Sequence, residues 1–215
     1  MEDFIPVTTV CGVQFVLAVG PLVPEHVRTL TDFIAWSKAN PKLATFATAG
    51  AGSRPHFLGE MLARAASFQF SHVPYKGGVP AMQDLLGGQV ASIISVVSNV
   101  LPHVHAGKLL ALATTAERRS AVLPDVPTFR ETGYREFVAV EMFGVLVPAG
   151  TPDPIVDGLT RAVHRALETD EVKAGLARQS FDIAVKARSE FAALIALETE
   201  RWRSAVRAAD FKPLD

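Results

Sequence analysis

With 215 residues, 49 % of them hydrophobic, and a net charge of −1, the chain holds enough apolar material for one large domain or two small lobes. The near-neutral balance excludes a basic nucleic-acid surface, and the single cysteine, Cys11, excludes an internal disulfide and any cysteine-rich metal site. No run reaches transmembrane length, and Met1-Glu2-Asp3-Phe4 shows neither a basic n-region nor an apolar h-region, which taken alone points to the cytoplasm.

In chain order, Val13 to Gly20 is a continuous apolar, β-branched run that predicts a buried strand, ended by Pro21 and Pro24. Thr29 caps a predicted helix through Ala39, with Leu30, Phe33 and Ile34 on one face, and Asn40-Pro41 stops it. Two βα units follow. An apolar run from Leu43 to Ala47 leads into Ala49-Gly50-Ala51-Gly52-Ser53 and a helix from about Arg54 to Ala66; a second run from Phe68 to Val73 leads into Pro74-Tyr75-Lys76-Gly77-Gly78 and a helix from about Val79 to Leu86. Gln89 to Val97 predicts a strand, with Ser98-Asn99 in the loop that opens a short helix. Leu109 to Thr115 predicts another strand. Beyond a proline-rich connection come a strand from Phe137 to Val147, a helix capped by Thr151, a helix capped by Asp170, a short strand from Phe181 to Val185, and a last helix capped by Ser189. Strands alternating with helices predict an α/β fold with a mostly parallel sheet covered on both faces.

The two βα loops are the candidate site. Each breaks a strand into a glycine-bearing turn that opens a helix, which directs free backbone N–H groups and the positive helix end to one place. Such a place suits a carboxylate, phosphate or sulfate. Gly50 and Gly52 allow close approach to the backbone, Ser53 can cap the helix or face a ligand, and His56 at the third helical position can face the same space. Plain capping explains the same residues equally well, because any strand–helix turn favours Gly and Ser. Pro55 fills the slot of the third glycine in a dinucleotide fingerprint, and the Gly-Lys-Ser/Thr ending of a P-loop is absent.

No catalytic set emerges. GxSxG is missing, no histidine is evidently placed as a base for Ser53, and Asp84, Asp125, Glu131 and Glu141 are scattered. Lys76 more simply offers a cation to its loop than a catalytic amine. His103-Val104-His105 has no accompanying carboxylate or cysteine cluster, so no metal is expected.

Five segments taken together resemble one family: PVTTV (6–10), KANPKLATFATAGAGSRPHFLGEML (38–62), VPYKGGVPAMQDLLGGQV (73–90), PHVHAGKLLALATTAERRSAVLPDVPTFRETG (102–133) and FGVLVPAGTPDPIV (143–156). They are similar to the extracytoplasmic solute receptors of tripartite tricarboxylate transporters, the Bug or TctC-like family. The resemblance implies a periplasmic-binding-protein type II-like fold: two lobes closing on a small carboxylated solute, with no catalysis and no cofactor, membrane transporter subunits as partners, and a periplasmic location that conflicts with the N-terminal reading. It implies that the loops holding Gly50, Gly52 and Ser53 and holding Tyr75, Lys76, Gly77 and Gly78 form one lobe's share of the ligand contacts, with Ser98 and Asn99 as further candidates; Ala49 and His56 join this expected ligand set from the reading of the residues themselves. Against the family pattern, residues 1–16 correspond to the approach to the first crossover, 17–138 to one complete parallel-rich lobe, and 139–215 to the C-terminal part of a second lobe. Ala91, Ser95 and Met142 stand where family members often carry acidic residues or Trp. A lobe lacking part of its core is expected to self-associate or to be loosely held. Two other function classes fit the architecture: a small α/β enzyme on an anionic substrate, and the effector-binding domain of a regulator.

Overall fold

The first strand, β1 (Phe4–Val19), is 16 residues long and serves two different sets of neighbours. The computed structural model describes residues 3–209 and 211. It divides into two compact units, one formed by Met1–Val13 with Val140–Ser204, the other by Gln14–Ala139 with Ala205–Asp215. The chain crosses from the first unit to the second inside β1, where the sequence pattern predicted a strand over the second half alone.

In the second unit, β2 (Thr45–Thr48) pairs in parallel with β3 (Ser71–Pro74) and with β4 (Ser92–Val96). The C-terminal half of β1 runs antiparallel to β4 and to β5 (Leu110–Thr114), giving the order β3-β2-β4-β1-β5. So β2, β3, β4 and β5 share one direction and β1 opposes them. The register of β1 against β5 shifts between Leu17 and Ala18, which leaves Leu112 as the extra residue of a bulge.

Alternation along the strands supplies both faces of this sheet. Phe46 points to the face where α1 (Leu30–Ala39) and α2 (Arg54–Ala65) lie. Phe33 of α1 meets Phe70 at 5.8 Å between ring centroids, and Phe70 meets Phe46 at 4.4 Å. Ala47 and Ile93 point to the other face, where α3 (Gly78–Leu86) contributes Ala81, Met82 and Leu85, and α4 (Val97–His105) contributes Val97 and Val100. Phe33 and Phe46 are fully buried, each contributing roughly 1.5–3 kcal/mol by removal from water. α1 begins with a full capping box: the Thr29 hydroxyl accepts the Asp32 N–H, and the Asp32 carboxylate accepts the Thr29 N–H.

In the first unit, the N-terminal half of β1 pairs with β6 (Val140–Pro148) and with β7 (Asp182–Ile183). Gly12 lets β6 come close: a Cβ there would sit 2.7 Å from Val140 Cγ1. Cys11 is buried, and burial pushes its thiol pKa up, in keeping with a small packed hydrophobe. The helices are α5 (Asp153–Glu168), α6 (Asp170–Arg178) and α7 (Arg188–Ala208). Three predicted caps differ. The Thr151 hydroxyl turns back to Pro148 O at 2.8 Å, and Pro152 occupies the cap of α5. Thr169 rather than Asp170 caps α6. Ser189 lies inside the first turn of α7, where the Glu190 carboxylate accepts the Ala187 N–H at 2.9 Å.

Candidate functional site

Because β2, β3 and β4 are parallel, α2, α3 and α4 all begin at the same edge of the sheet, beyond the strands' carboxyl ends. This is where open α/β sheets place ligands. The β2–α2 and β3–α3 loops are stitched together there. Tyr75 N–H donates to Thr48 O and Gly77 N–H donates to Ala49 O, each at 3.0 Å. The structure thus brings Ala49 through Ser53 beside Tyr75 through Gly78. Asn99 joins them: a Cβ on Gly78 would lie 3.3 Å from Asn99 Nδ2. Ser98 and Asn99 do not sit in a loop, because β4 runs directly into α4 and both occupy its first turn. Asn99 Nδ2 donates to Ser95 Oγ at 3.2 Å, which orients the amide.

The starts of these three helices differ from the other four. α2, α3 and α4 have no side-chain cap and no acidic residue in the first turn. By contrast, α1, α5, α6 and α7 carry Asp32, Asp153, Asp170 with Glu171, and Glu190 in their first turns. Acids at a helix N-terminus neutralise its positive end; at the sheet edge that neutralisation is withheld three times. Ser53, the expected cap, instead donates its hydroxyl to Gly50 O at 2.7 Å, closing the loop on itself. Among the described residues, the N–H groups of Ser53 and Gly78 meet no acceptor, so they remain available to an anion.

Other members of the expected set have internal duties. Gly52 (φ +75°) donates its N–H to His56 Nδ1 at 3.2 Å, so that donor does not face outward. A side chain at 52 would meet both an unfavourable φ and the Phe211 ring, with Cβ 2.9 Å from Cζ. His56 is buried at 9 % exposure, stacked on His72 at 3.9 Å between centroids, with Phe211 edge-on at 5.6 Å. Burial holds the His56 pKa below the ordinary value, partly opposed by the nearby Glu60 carboxylate. The Tyr75 hydroxyl donates to Asp84 Oδ2 at 2.7 Å; burial and this carboxylate push its pKa up to about 12. Lys76 is exposed and Gly77 takes φ +109°. Of the positions singled out around β4, Ala91 lies just before the strand and Ser95 within it, and both are buried.

A groove of ≈ 460 Å³ starts at Gly78 and Asn99 and runs between α3 and α4 along Met82, Leu86 and His103. It meets the loops only at its end. No group of residues that could hold a metal occurs among the described residues, and no described helix is long and apolar enough to cross a membrane.

The architecture is that of an α/β unit in which three helices without side-chain caps or first-turn acids begin at one edge of a mostly parallel sheet. The chain belongs to the tripartite tricarboxylate transporter family receptor group, TctC, whose pattern matches residues 1–211. It is 37 % identical to BugT of Bordetella pertussis (strain Tohama I) over 212 residues, covering 99 % of this chain and 64 % of BugT. Among solved structures, a protein of R. palustris with adipate superimposes with a TM-score of 0.86 at 27 % identity, covering 99 % of this chain and 71 % of that one. MatC from Rhodopseudomonas palustris with bound malate gives a TM-score of 0.80 at 31 % identity, covering 94 % and 69 %. The fold is therefore that of the type II periplasmic binding proteins of the Bug/TctC kind.

Proposed function

We propose that this chain binds a small carboxylated solute as the receptor component of a tripartite tricarboxylate-type transporter, acting by binding rather than catalysis. The observation that carries the reading is the trio of helix starts without caps or first-turn acids at one sheet edge. The available N–H groups of Ser53 and Gly78 take one carboxylate, with Gly50 shaping the loop, Lys76 adding positive charge and Asn99 donating from α4. Family membership supports the reading, as do adipate and malate on similar structures. On this reading the site is periplasmic and its partners are the membrane subunits of the transporter. The chain spans 64 % of BugT, so the receptor role of the whole protein belongs to this proposal.

A thermal-shift panel of mono-, di- and tricarboxylates, malate and adipate included, tests it. A ligand that binds the native state alone raises the melting temperature with concentration. The expected result is a concentration-dependent rise with at least one acid and none with its amide. A flat response across the panel overturns the reading.

A further inference from the structure

We infer that His56 is a positioning residue that holds the β2–α2 loop through Gly52, so that one proton on His56 loosens the loop and weakens carboxylate binding. This rests on the function proposed above and adds a regulation of the same site.

The geometry fixes the tautomer. Gly52 N–H donates to His56 Nδ1 at 3.2 Å, so Nδ1 carries no hydrogen and the neutral ring is protonated at Nε2. Nε2 in turn faces Glu60 Oε1 at 3.8 Å. A proton added to His56 goes to Nδ1, the one position where it faces the Gly52 N–H. Acceptor becomes donor, and two N–H groups oppose each other. Gly52 then turns away, and with it the peptide that leads to the Ser53 N–H.

The neighbours make this a sharp response. His56 lies between Phe46 of β2, His72 of β3, Phe57 of its own helix and Phe211, the last covering the Gly52 side. Among the described residues, the titratable groups facing it are Glu60 from α2 and His72 from β3. The two imidazoles are stacked at 3.9 Å, so a second proton is repelled and the pair takes one at a time. His56 receives it, because the Glu60 carboxylate stands beside that ring, whereas desolvation and the neighbouring charge push the His72 pKa down to about 4. The Glu60 carboxylate offsets the new charge, so the loss of loop geometry decides the sign. Binding therefore weakens on acidification.

The experiment follows the Gly52 backbone amide of the full chain by NMR from about pH 7.5 to about pH 4 without ligand, and measures malate and adipate affinity over the same range. The expected result is a single Gly52 step with its midpoint below the ordinary histidine value of 6.5. His56→Asn abolishes the step, because the amide oxygen replaces Nδ1 as acceptor and does not titrate. Glu60→Gln moves the midpoint to lower pH. In affinity, the ratio of wild type to His56→Asn falls by about tenfold from the top to the bottom of the range, the equivalent of one unit of coupling; taking the ratio cancels protonation of the ligand itself. A Gly52 step that persists in His56→Asn, a midpoint unmoved in Glu60→Gln, or wild-type affinity that gains on the variant in acid would each overturn the inference. Should no acid of the carboxylate panel bind at any pH, the proposed function fails, and the ligand-free Gly52 step still decides the role of His56.

Discussion

Thr48 and His72 meet across the β2–β3 pairing, with Thr48 Oγ 2.7 Å from His72 Nε2. Thr48 also donates its hydroxyl to Gly50 O at 3.0 Å. It has one hydroxyl hydrogen, so His72 donates from Nε2 while Thr48 bonds to the loop. Desolvation, followed by the charge of a protonated His56, lowers the His72 pKa from 6.5 to about 4. The unfolded chain thus binds the proton more readily than the folded one. The stability from neutral His72 is complete above 6.5 and is lost progressively as the pH falls toward 4. Melting temperature should fall through this window, and His72→Gln should flatten the upper part of it, before carboxylates begin to titrate. An equally steep decline in His72→Gln would assign the acid sensitivity elsewhere.

Gly50 and Gly77 separate the effects of ligand access and backbone strain. A Cβ at either meets nothing within 4 Å, but only Gly77 has positive φ, at +109°. Gly77→Ala should cost roughly 1–3 kcal/mol of stability through its backbone conformation. Gly50→Val should leave the fold within about 0.5 kcal/mol and place bulk on the open side of the anion loop. Carboxylate affinity should then drop at least about tenfold while chemical denaturation is unchanged. Unaltered affinity in a stable Gly50→Val protein would move the site away from this loop.

Local chemistry was readable where it acts locally. Thr29 with Asp32, the glycines of both βα loops and the apolar runs of β2 to β5 each announce their element within a few residues. What escaped depends on distant partners. At the third position of α2, His56 reads as a cap or ligand contact; only its stacking on His72 and Phe211 turns it inward. β1 was expected as a shorter strand on the continuous apolar run from Val13 to Gly20, yet it begins at Phe4, since its two halves pair with different strands. The lack of acids at three helix starts was visible in the sequence, but its meaning depends on the parallel pairing that gathers them at one edge.

Gly59 reports on how tightly α2 sits on the sheet. A Cβ there would overlap the ring of Phe46, which is fully buried and boxed in by Phe70 and His72. The ring has no free direction to move in, so α2 must shift as a body. Gly59→Ala should therefore destabilise by roughly 1–3 kcal/mol, although alanine favours helix. A urea midpoint lowered with the slope preserved is the expected signature. A neutral or raised midpoint would mean that the α2–β2 contact is looser than this packing.

The first unit leaves large apolar side chains in water. Phe143 and Leu146 on β6 are 47 % and 41 % exposed, Ile155 on α5 is 54 %, Ile183 and Val185 around β7 are 41 % and 46 %, and Leu197 on α7 is 67 %. Even a few hundred Å² of such surface, at about 25 cal/mol per Å², carries several kcal/mol toward any partner that covers it. BugT and the two R. palustris structures extend beyond what this chain spans, so the chain studied alone should associate with itself through this surface. Sedimentation velocity should show a weight-average coefficient that rises with concentration. Leu197→Lys with Val185→Lys should return it to the monomer value, and the melting temperature of the second unit should stay the same. A concentration-independent monomer, combined with slow amide exchange across β6 and α7, would show that the first unit closes its own core and that these side chains are ordinary surface.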